Sequence, residues 1–224
     1  MQIFKSPIKF LVFLFLFVSD LALAARFQGQ VAAIHDGDTI NITLSDSNRM
    51  ARVRLLGTDS PEVEVNRQTQ GEAALRARDY LRAMLPIGAV VIINTTDEDV
   101  TDKHNRLLGQ VMYEGVDMNR EMLRSGWSAF YLIAPFDKTM AKQYSQVSKE
   151  AYEARRGIFS AEFSNVLMPY MFRLKVMGHV GRNLIGNLET KELYANEDVD
   201  LIPPYARVFF PSEQSANSRG YSFQ

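Results

Sequence analysis

The sequence predicts an α+β fold, mainly β, in which five short strands close into a barrel and three helices pack around it. Short apolar stretches with a period of two alternate with turn residues, and stretches with helical spacing lie between them. The chain has 224 residues and no cysteine. Because no disulfide can form, the hydrophobic core alone must hold the fold, and a chain of this length can supply such a core.

The first part of the barrel is predicted from residues 27–56. Apolar side chains alternate with polar ones in three successive runs, which contain Val31 and Ala33, then Ile40, Ile42 and Leu44, then Val53 and Leu55. Asp36-Gly37 between the first two runs is a strong hairpin signal. Asp46-Ser47-Asn48 marks the following turn. The pattern therefore predicts three strands that are separated by these two turns.

The remaining elements alternate between helices and strands. Helical spacing is found at 70–84, 117–124 and 138–156, and runs typical of strands are found at 89–94 and 107–113. Residues 127–133 are apolar and aromatic, and the sequence leaves open whether they are extended or form a loop that lines the core. Five short strands with helices between them fit the small closed barrel of the oligonucleotide-binding type.

The beginning of the chain is predicted to be a signal peptide at residues 1–24. Lys5 and Lys9 precede a short apolar run at 10–18, and Ala22-Leu23-Ala24 offers a cleavage site. An uncleaved anchor is the alternative, but the run is shorter than the about 20 residues of a spanning helix, and Asp20 interrupts its continuation. We therefore expect an exported protein, periplasmic or secreted, with no stable membrane insertion after cleavage.

The mature chain is expected to divide into a catalytic barrel domain at 25–160 and a C-terminal extension of unknown function at 161–224. The extension is richer in Asn, Ser and Gly, and within it the sequence predicts strands at 173–180 and 205–210. The net charge of the whole chain is −1. A strongly basic domain is the usual footprint of nucleic-acid binding, but an enzyme needs only a local basic cleft, so near neutrality does not exclude a nucleic-acid substrate.

Three carboxylates and two guanidiniums carry the strongest functional signal in the chain: Asp38, Asp59 and Glu62, with Arg54 and Arg106. Carboxylate oxygens bind hard cations such as Ca²⁺. Arginines bind phosphate oxygens through two parallel hydrogen bonds and stay charged at any working pH. A glutamate beside them can orient or deprotonate a water molecule. The set therefore favours the hydrolysis of a phosphodiester.

Each of these residues also has an ordinary structural explanation. Asp38 beside Gly37 can be a turn former, and Arg54 can lie on an exposed face of a strand. Glu62 after a proline can begin a helix. Arg106 can pair with Asp102 in a surface loop. The combination of all five at these intervals in a barrel-like pattern is much harder to explain structurally.

Residues 27–159 resemble the staphylococcal nuclease (thermonuclease) family. The resemblance rests on residues 36–40 (DGDTI), 54–62 (RLLGTDSPE), 102–106 (DKHNR) and 155–159 (RRGIF). It implies a five-stranded barrel with three helices that cleaves DNA and RNA with Ca²⁺ and leaves 3′-phosphates.

The resemblance also assigns roles to individual residues. It implies that Asp38, Asp59 and the carbonyl oxygen of Ser60 are metal ligands. Glu62 would be the base or the group that orients water. Arg54 and Arg106 would bind the phosphate and its transition state.

Substrate contacts are predicted at Lys103, His104 and Tyr131. Lys103 can contact a terminal phosphate, or it can simply lie in a solvated loop. His104-Asn105 stands where the family commonly has Tyr-Gly, so the contact made there is expected to differ. Tyr131 can stack on a base, as aromatic side chains do in single-strand binders, or it can belong to the core. We expect DNA and RNA substrates that are single-stranded or frayed, and a monomeric enzyme.

Two further interpretations remain open. The first is a binding module on the same barrel that holds single-stranded nucleic acid without cleaving it, and the second is an envelope protein that contacts other proteins. In the tail, segments at 185–191, 207–210 and 216–221 resemble the cysteine-ligated zinc module of some bacterial repair proteins and nucleases. Because the chain has no cysteine, the tail is expected to be metal-free and to pack on the barrel or contact substrate.

Overall fold

A computed structural model describes residues 25–96, 100–178 and 184–223. The predicted signal peptide at 1–24 lies outside the described residues. No helix within the described ranges is both long and apolar enough to cross a membrane.

The strands are β1 (Arg26–Ile34), β2 (Thr39–Leu44), β3 (Met50–Leu55), β4 (Thr58–Asp59), β5 (Val90–Thr95), β6 (Leu107–Tyr113), β7 (Val116–Asp117), β8 (Ala129–Phe130), β9 (Leu132–Ile133), β10 (Leu184–Asn187), β11 (Leu193–Tyr194) and β12 (Arg207–Phe210). The α-helices are α1 (Glu72–Met84), α2 (Met118–Arg124), α3 (Lys138–Glu153), α4 (Pro169–Met177) and α5 (Glu213–Asn217). Short 3₁₀ helices lie at Gly157–Phe159, Ala161–Phe163, Asn196–Leu201 and Pro204–Ala206.

The predicted five-stranded barrel is confirmed. Strands β3, β2, β1, β5 and β6 are neighbours in this order, and a pairing of β3 with β6 closes the sheet on itself. All neighbours are antiparallel except β3 and β6, which are parallel. The inward side chains fill the barrel and are fully buried, among them Ile40, Ile42, Val53, Val91, Ile93 and Val111. The predicted hairpin turn at 36–37 joins β1 to β2.

The three predicted helices of the barrel domain are confirmed as α1, α2 and α3. Residues 127–133, which the sequence left open, contain the two short strands β8 and β9. Strand β8 pairs with β4, whereas β9 pairs in parallel with β12 of the C-terminal extension. One sheet therefore contains strands from both sides of residue 160.

The extension shares a hydrophobic core with the outer face of the barrel domain. Phe130, Leu132 and Tyr144 of the barrel domain pack in one cluster with Val208 and Phe210 of the extension. All five side chains are almost completely buried. The division at residue 160 stays a prediction, since the two segments are joined by a common sheet and a common core.

The prediction of a strand at 173–180 is wrong for residues 173–178, and residues 179–180 lie outside the described residues. Residues Pro169–Met177 form helix α4, which Gly178 ends in the left-handed conformation. Pro169 stands in the first helical turn, where its fixed φ angle is already helical, and most of the following residues are good helix formers. The strand predicted at 205–210 is confirmed in its second part, because β12 begins at Arg207 after a short 3₁₀ helix.

Gly57, between β3 and β4, is expected to be essential for stability. Its φ angle is +81°, and a Cβ atom there would lie 2.6 Å from the Tyr144 ring. We expect Gly57→Ala to lower the free energy of unfolding by about 2–4 kcal/mol, because backbone strain and overpacking add.

The matched control is Gly115→Ala. Gly115 has a similar φ of +79° but no atom within 4 Å of the added Cβ. This control should cost only the backbone term, about 1–2 kcal/mol. Urea unfolding of both variants measures the difference, and equal losses would show that the Tyr144 contact is not the cause.

Candidate active site

The site forms where the β1–β2 hairpin, the end of β3 and strand β4 meet. Arg54, which pairs with Thr39 across β2 and β3, forms an ion pair with Asp38 and a second one with Asp59, at 3.1 Å. Its guanidinium also donates to the carbonyl oxygen of Thr58 at 3.0 Å. Asp38 and Asp59 are each only 1% exposed. One largely buried arginine therefore joins two buried carboxylates that lie 21 positions apart in the sequence.

Backbone contacts fix the two aspartates relative to each other. The N–H of Ser60 donates to Asp38 Oδ2 at 2.6 Å, and the N–H of Leu55 donates to the carbonyl oxygen of Asp38 at 2.8 Å. Ser60 also contacts the hydroxyl of Ser128. Because these bonds tie the hairpin to the segment after β3, the carboxylate of Asp38 is held beside Asp59 and Ser60.

Glu62 meets the site through an arginine of the extension. Arg173 on α4 donates to Glu62 Oε1 at 2.8 Å and to the two carboxylate oxygens of Asp59 at 2.6 and 3.0 Å. Its side chain is 14% exposed, and its guanidinium lies 5.7 Å from the centre of the Tyr131 ring. The helix that the sequence analysis took for a strand thus places a second guanidinium at the carboxylates.

The electrostatics of the site follow from burial. Burial raises the pKa of Asp38 to about 8, and the positive charge of Arg54 opposes this rise. Burial likewise raises the pKa of Glu62, which Arg173 counteracts. Three carboxylates face two guanidiniums here, so the site carries excess negative charge when all groups are ionised.

The chemistry of these groups fits a hard cation. Asp38, Asp59 and the carbonyl group of Ser60 offer oxygen atoms, the ligands that Ca²⁺ prefers, in a place where positive charge is in deficit. Within the described ranges, no three His, Cys, Asp or Glu side chains cluster as they do in an all-protein metal centre. A cation held here would therefore rely on two aspartates, backbone oxygen and water.

Arg106 lies apart from these carboxylates in the contacts that the structure describes. Its guanidinium binds Asp102 at 2.6 and 2.8 Å, and its backbone N–H donates to the same carboxylate at 3.0 Å. Lys103 and His104 are exposed in the same loop, and the N–H of His104 also donates to Asp102 at 2.9 Å. The loop is therefore organised around one aspartate. The pairing of Arg106 with Asp102 is the structural alternative that the sequence offered for Arg106.

Tyr131 is packed against aromatic side chains of the extension. Its ring centre lies 4.4 Å from that of Phe209 and 6.0 Å from that of Tyr170. The ring is half-buried and faces Arg173.

The structure thus brings together Asp38, Arg54, Asp59, Ser60 and Glu62, and it adds Arg173, which the sequence analysis missed. The one available signal was a lone arginine within the mainly apolar stretch at 169–177.

Comparison with known proteins agrees with the motifs. Residues 52–161 match the model of the family described as "Staphylococcal nuclease homologue". The chain is similar to "Endonuclease YhcR" of Bacillus subtilis (strain 168), with 30% identity over 203 residues that cover 88% of this chain and 16% of the relative. Residues 1–160 make up less than 88% of the 224-residue chain, so the matched stretch must extend into residues 161–224.

Two other relatives match over a shorter stretch. An uncharacterized protein of Bacillus anthracis is 28% identical over 133 residues, which cover 59% of this chain and 61% of the relative. An "Uncharacterized endonuclease" of Escherichia coli O157:H7 is 29% identical over 139 residues, which cover 62% of this chain and 80% of the relative. The chain spans less than two thirds of the length of the Bacillus relatives.

Proposed function

Because residues 52–161 make this chain a member of the staphylococcal nuclease family, we propose that it is a nuclease that hydrolyses phosphodiester bonds of DNA and RNA with Ca²⁺ and leaves 3′-phosphates. The observation that carries the proposal is the convergence of Asp38, Arg54, Asp59 and Glu62 at one buried site. Two similar proteins named as endonucleases support it. A module that binds single strands without cleaving them is the alternative.

We assign the cation to Asp38, Asp59 and the carbonyl oxygen of Ser60. When bound, Ca²⁺ supplies positive charge that polarises a phosphoryl oxygen and offsets the negative charge that develops there. Ser60 contributes only a backbone group to this set, and its N–H already anchors Asp38 at 2.6 Å. The three ligands are therefore connected rigidly.

Glu62 is proposed to take a proton from the attacking water. Arg173 donates a hydrogen bond to Oε1 of Glu62 at 2.8 Å. In the described part of the chain, no group donates a hydrogen bond to the second oxygen, Oε2. One oxygen is thus fixed while the second can accept a proton. A base held within hydrogen-bond reach of water typically accelerates such a step by about 10²–10⁴-fold.

Arg54 is proposed to bind the phosphate and its transition state. It pairs with both Asp38 and Asp59, the two carboxylates that would hold the cation, so its guanidinium lies beside the proposed metal site. Arg106 is proposed to share this role, because Asp102 binds its Nε and one terminal nitrogen while the other terminal nitrogen can still donate to a phosphate. Arg173 lies directly at the carboxylates, and we propose that it holds Asp59 and Glu62 side by side.

The kind of substrate, the residues that contact it and the location of the enzyme are proposed from the sequence. Lys103 and His104 are exposed near the loop of Arg106 and would contact phosphates of the strand, while Tyr131 would contact a base with the part of its ring that is not covered by Phe209. We propose that the substrate is single-stranded or frayed nucleic acid and that the enzyme is an exported monomer, periplasmic or secreted.

The activity is tested on residues 25–224 with heat-denatured DNA and with RNA. We expect both to be cut when Ca²⁺ is present and neither to be cut when a chelator removes it, because the proposed mechanism needs the positive charge of the cation at the phosphoryl oxygen. The products should carry 3′-phosphates, which phosphatase treatment and gel mobility reveal. Strands that are bound but not cut under both conditions would support the binding module instead.

A further inference from the structure

A second charged site lies outside the carboxylate cluster, at the junction of α3 with the C-terminal extension. It is a groove of about 480 Å³, and its basic residues are Lys138, Lys142, Lys149, Lys191 and Arg219. None of them belongs to the candidate active site. Five of the 25 basic residues thus line one groove in a chain whose net charge is −1.

The sequence places three of these cations on one side of α3. Lys138, Lys142 and Lys149 are four and eleven positions apart, which corresponds to about one and three turns of an α-helix. They therefore share a helix face that spans about 16 Å. Lys191, between β10 and β11, and Arg219, after α5, approach this face from the extension.

The positive charge of the groove is mostly uncompensated. Glu189 is the one carboxylate among its lining residues, and it pairs with Lys149 at 2.9 Å. Among the described residues, no carboxylate forms an ion pair with Lys138, Lys142 or Lys191. Partial burial and the nearby charge of Lys138 lower the pKa of Lys191. An anion bound in the groove would offset the repulsion between the positive charges of Lys138 and Lys191.

Two of the cations are held in place by aromatic rings. Lys191 Nζ lies 2.9 Å from the Tyr221 hydroxyl and 4.4 Å from the centre of that ring. Arg219 donates to the carbonyl oxygen of Phe136 at 3.1 Å and lies 5.0 Å from the centre of its ring. Because these cations are already ordered, binding an anion would cost little further side-chain entropy.

We propose that this groove binds the phosphodiester backbone of a single-stranded nucleic acid and is a second contact site for the substrate. The row of lysines on α3 is about 16 Å long, whereas successive phosphates on one strand are about 3.4 Å apart along a duplex axis. The groove thus accommodates several phosphates of a chain rather than one free phosphate. The role as a substrate contact rests on the proposed nuclease function, whereas the binding itself does not.

Strand binding is measured by fluorescence anisotropy with a labelled oligonucleotide of about 15 nucleotides, in chelator so that no cleavage occurs. The test variant is Lys138→Glu with Lys142→Glu, since both side chains are exposed. The matched control is Arg49→Glu with Arg52→Glu. Arg49 is exposed directly before β3 and Arg52 is exposed on β3, and the two substitutions change the net charge equally. We expect the groove variant to bind at least about tenfold more weakly, with a salt slope smaller by about 1.4 for two lost lysine contacts.

Several results would overturn the proposal. Unchanged oligonucleotide affinity in the groove variant would show that the groove does not bind the strand. Equal losses of affinity in the groove variant and the control would show a general effect of net charge. Vesicles with about 30% phosphatidylserine test a lipid surface. Loss of vesicle binding in the groove variant, with strand binding intact, would assign the groove to membranes.

Cleavage assays with Ca²⁺ separate this proposal from the nuclease proposal. If the wild type binds strands through the groove but cuts nothing, the groove proposal is supported and the nuclease proposal is wrong. If the wild type cuts but the groove variant binds strands equally well, the nuclease function remains and the groove proposal is wrong. When both hold, the groove variant should lose activity on long strands and keep it on a dinucleotide ester.

Discussion

Arg54→Lys is expected to lower kcat/KM for nucleic-acid cleavage by about 10²–10³-fold. Arg54 contacts Asp38, Asp59 and the carbonyl oxygen of Thr58 at once. A lysine keeps the positive charge but lacks the planar fork that binds two acceptors together. Removing one donor that stabilises a developing oxyanion typically costs this much in rate. Lysine is chosen over alanine because it leaves no buried aspartate without a cation.

The measurement is the initial rate with Ca²⁺ on denatured DNA, with thermal unfolding to show that the variant folds. Arg52→Lys is the matched control, because Arg52 is exposed and lies two positions earlier on the same strand. The control should cut within about twofold of the wild type, as expected for a surface change. A loss in Arg54→Lys of less than threefold would contradict the assignment of Arg54 to the transition state.

Arg173→Met is expected to lower the free energy of unfolding by about 3–5 kcal/mol in chelator. Removing one partner of a buried ion pair leaves an uncompensated buried charge, which has a cost of this size. Here the guanidinium pairs with both Asp59 and Glu62, and the Arg173 side chain is 14% exposed. Methionine keeps most of the side-chain volume, so the loss of charge is tested more than the loss of packing.

Calcium should recover part of this stability. A cation at Asp59 replaces the missing positive charge, so Ca²⁺ should stabilise Arg173→Met more than it stabilises the wild type, as ligand linkage requires. Urea unfolding with and without Ca²⁺ gives both numbers, and calorimetric titration gives the affinity directly. Lys175→Met, an exposed neighbour on α4, is the control and should change stability by less than about 0.5 kcal/mol. An equally stable Arg173→Met would show that the contacts of α4 with the carboxylates contribute nothing.

The barrel could be predicted because its signals are local. Alternation in β2 and β3, the Asp36-Gly37 turn and the helical spacing of α1 each depend on neighbours a few residues away. The positions of Asp38 and Arg54 follow from the same signals, because the turn and the strand pairing fix where both side chains point. The candidate site within the barrel was therefore accessible to sequence reasoning.

The contribution of the extension was not accessible in this way. Arg173 and Asp59 are 114 positions apart, and no local pattern encodes that contact. The second half of α4 was predicted as a strand, because its apolar run has too little amphipathic contrast to show a helical period clearly. The contact of Arg106 with Asp102, in contrast, spans four residues and was foreseen as an alternative.

The closed barrel and the residue types of its site can be read from short segments, since turns, strand alternation and the carboxylate and arginine motifs are local properties. The contacts of Arg173 with Asp59 and Glu62, and the groove lined by cations from α3 and the extension, arise only from the packing of distant segments. Both depend on how β9 and β12 pair and on which apolar faces are buried together. Such packing is selected by the free energy of the whole chain, in which distant segments contribute together.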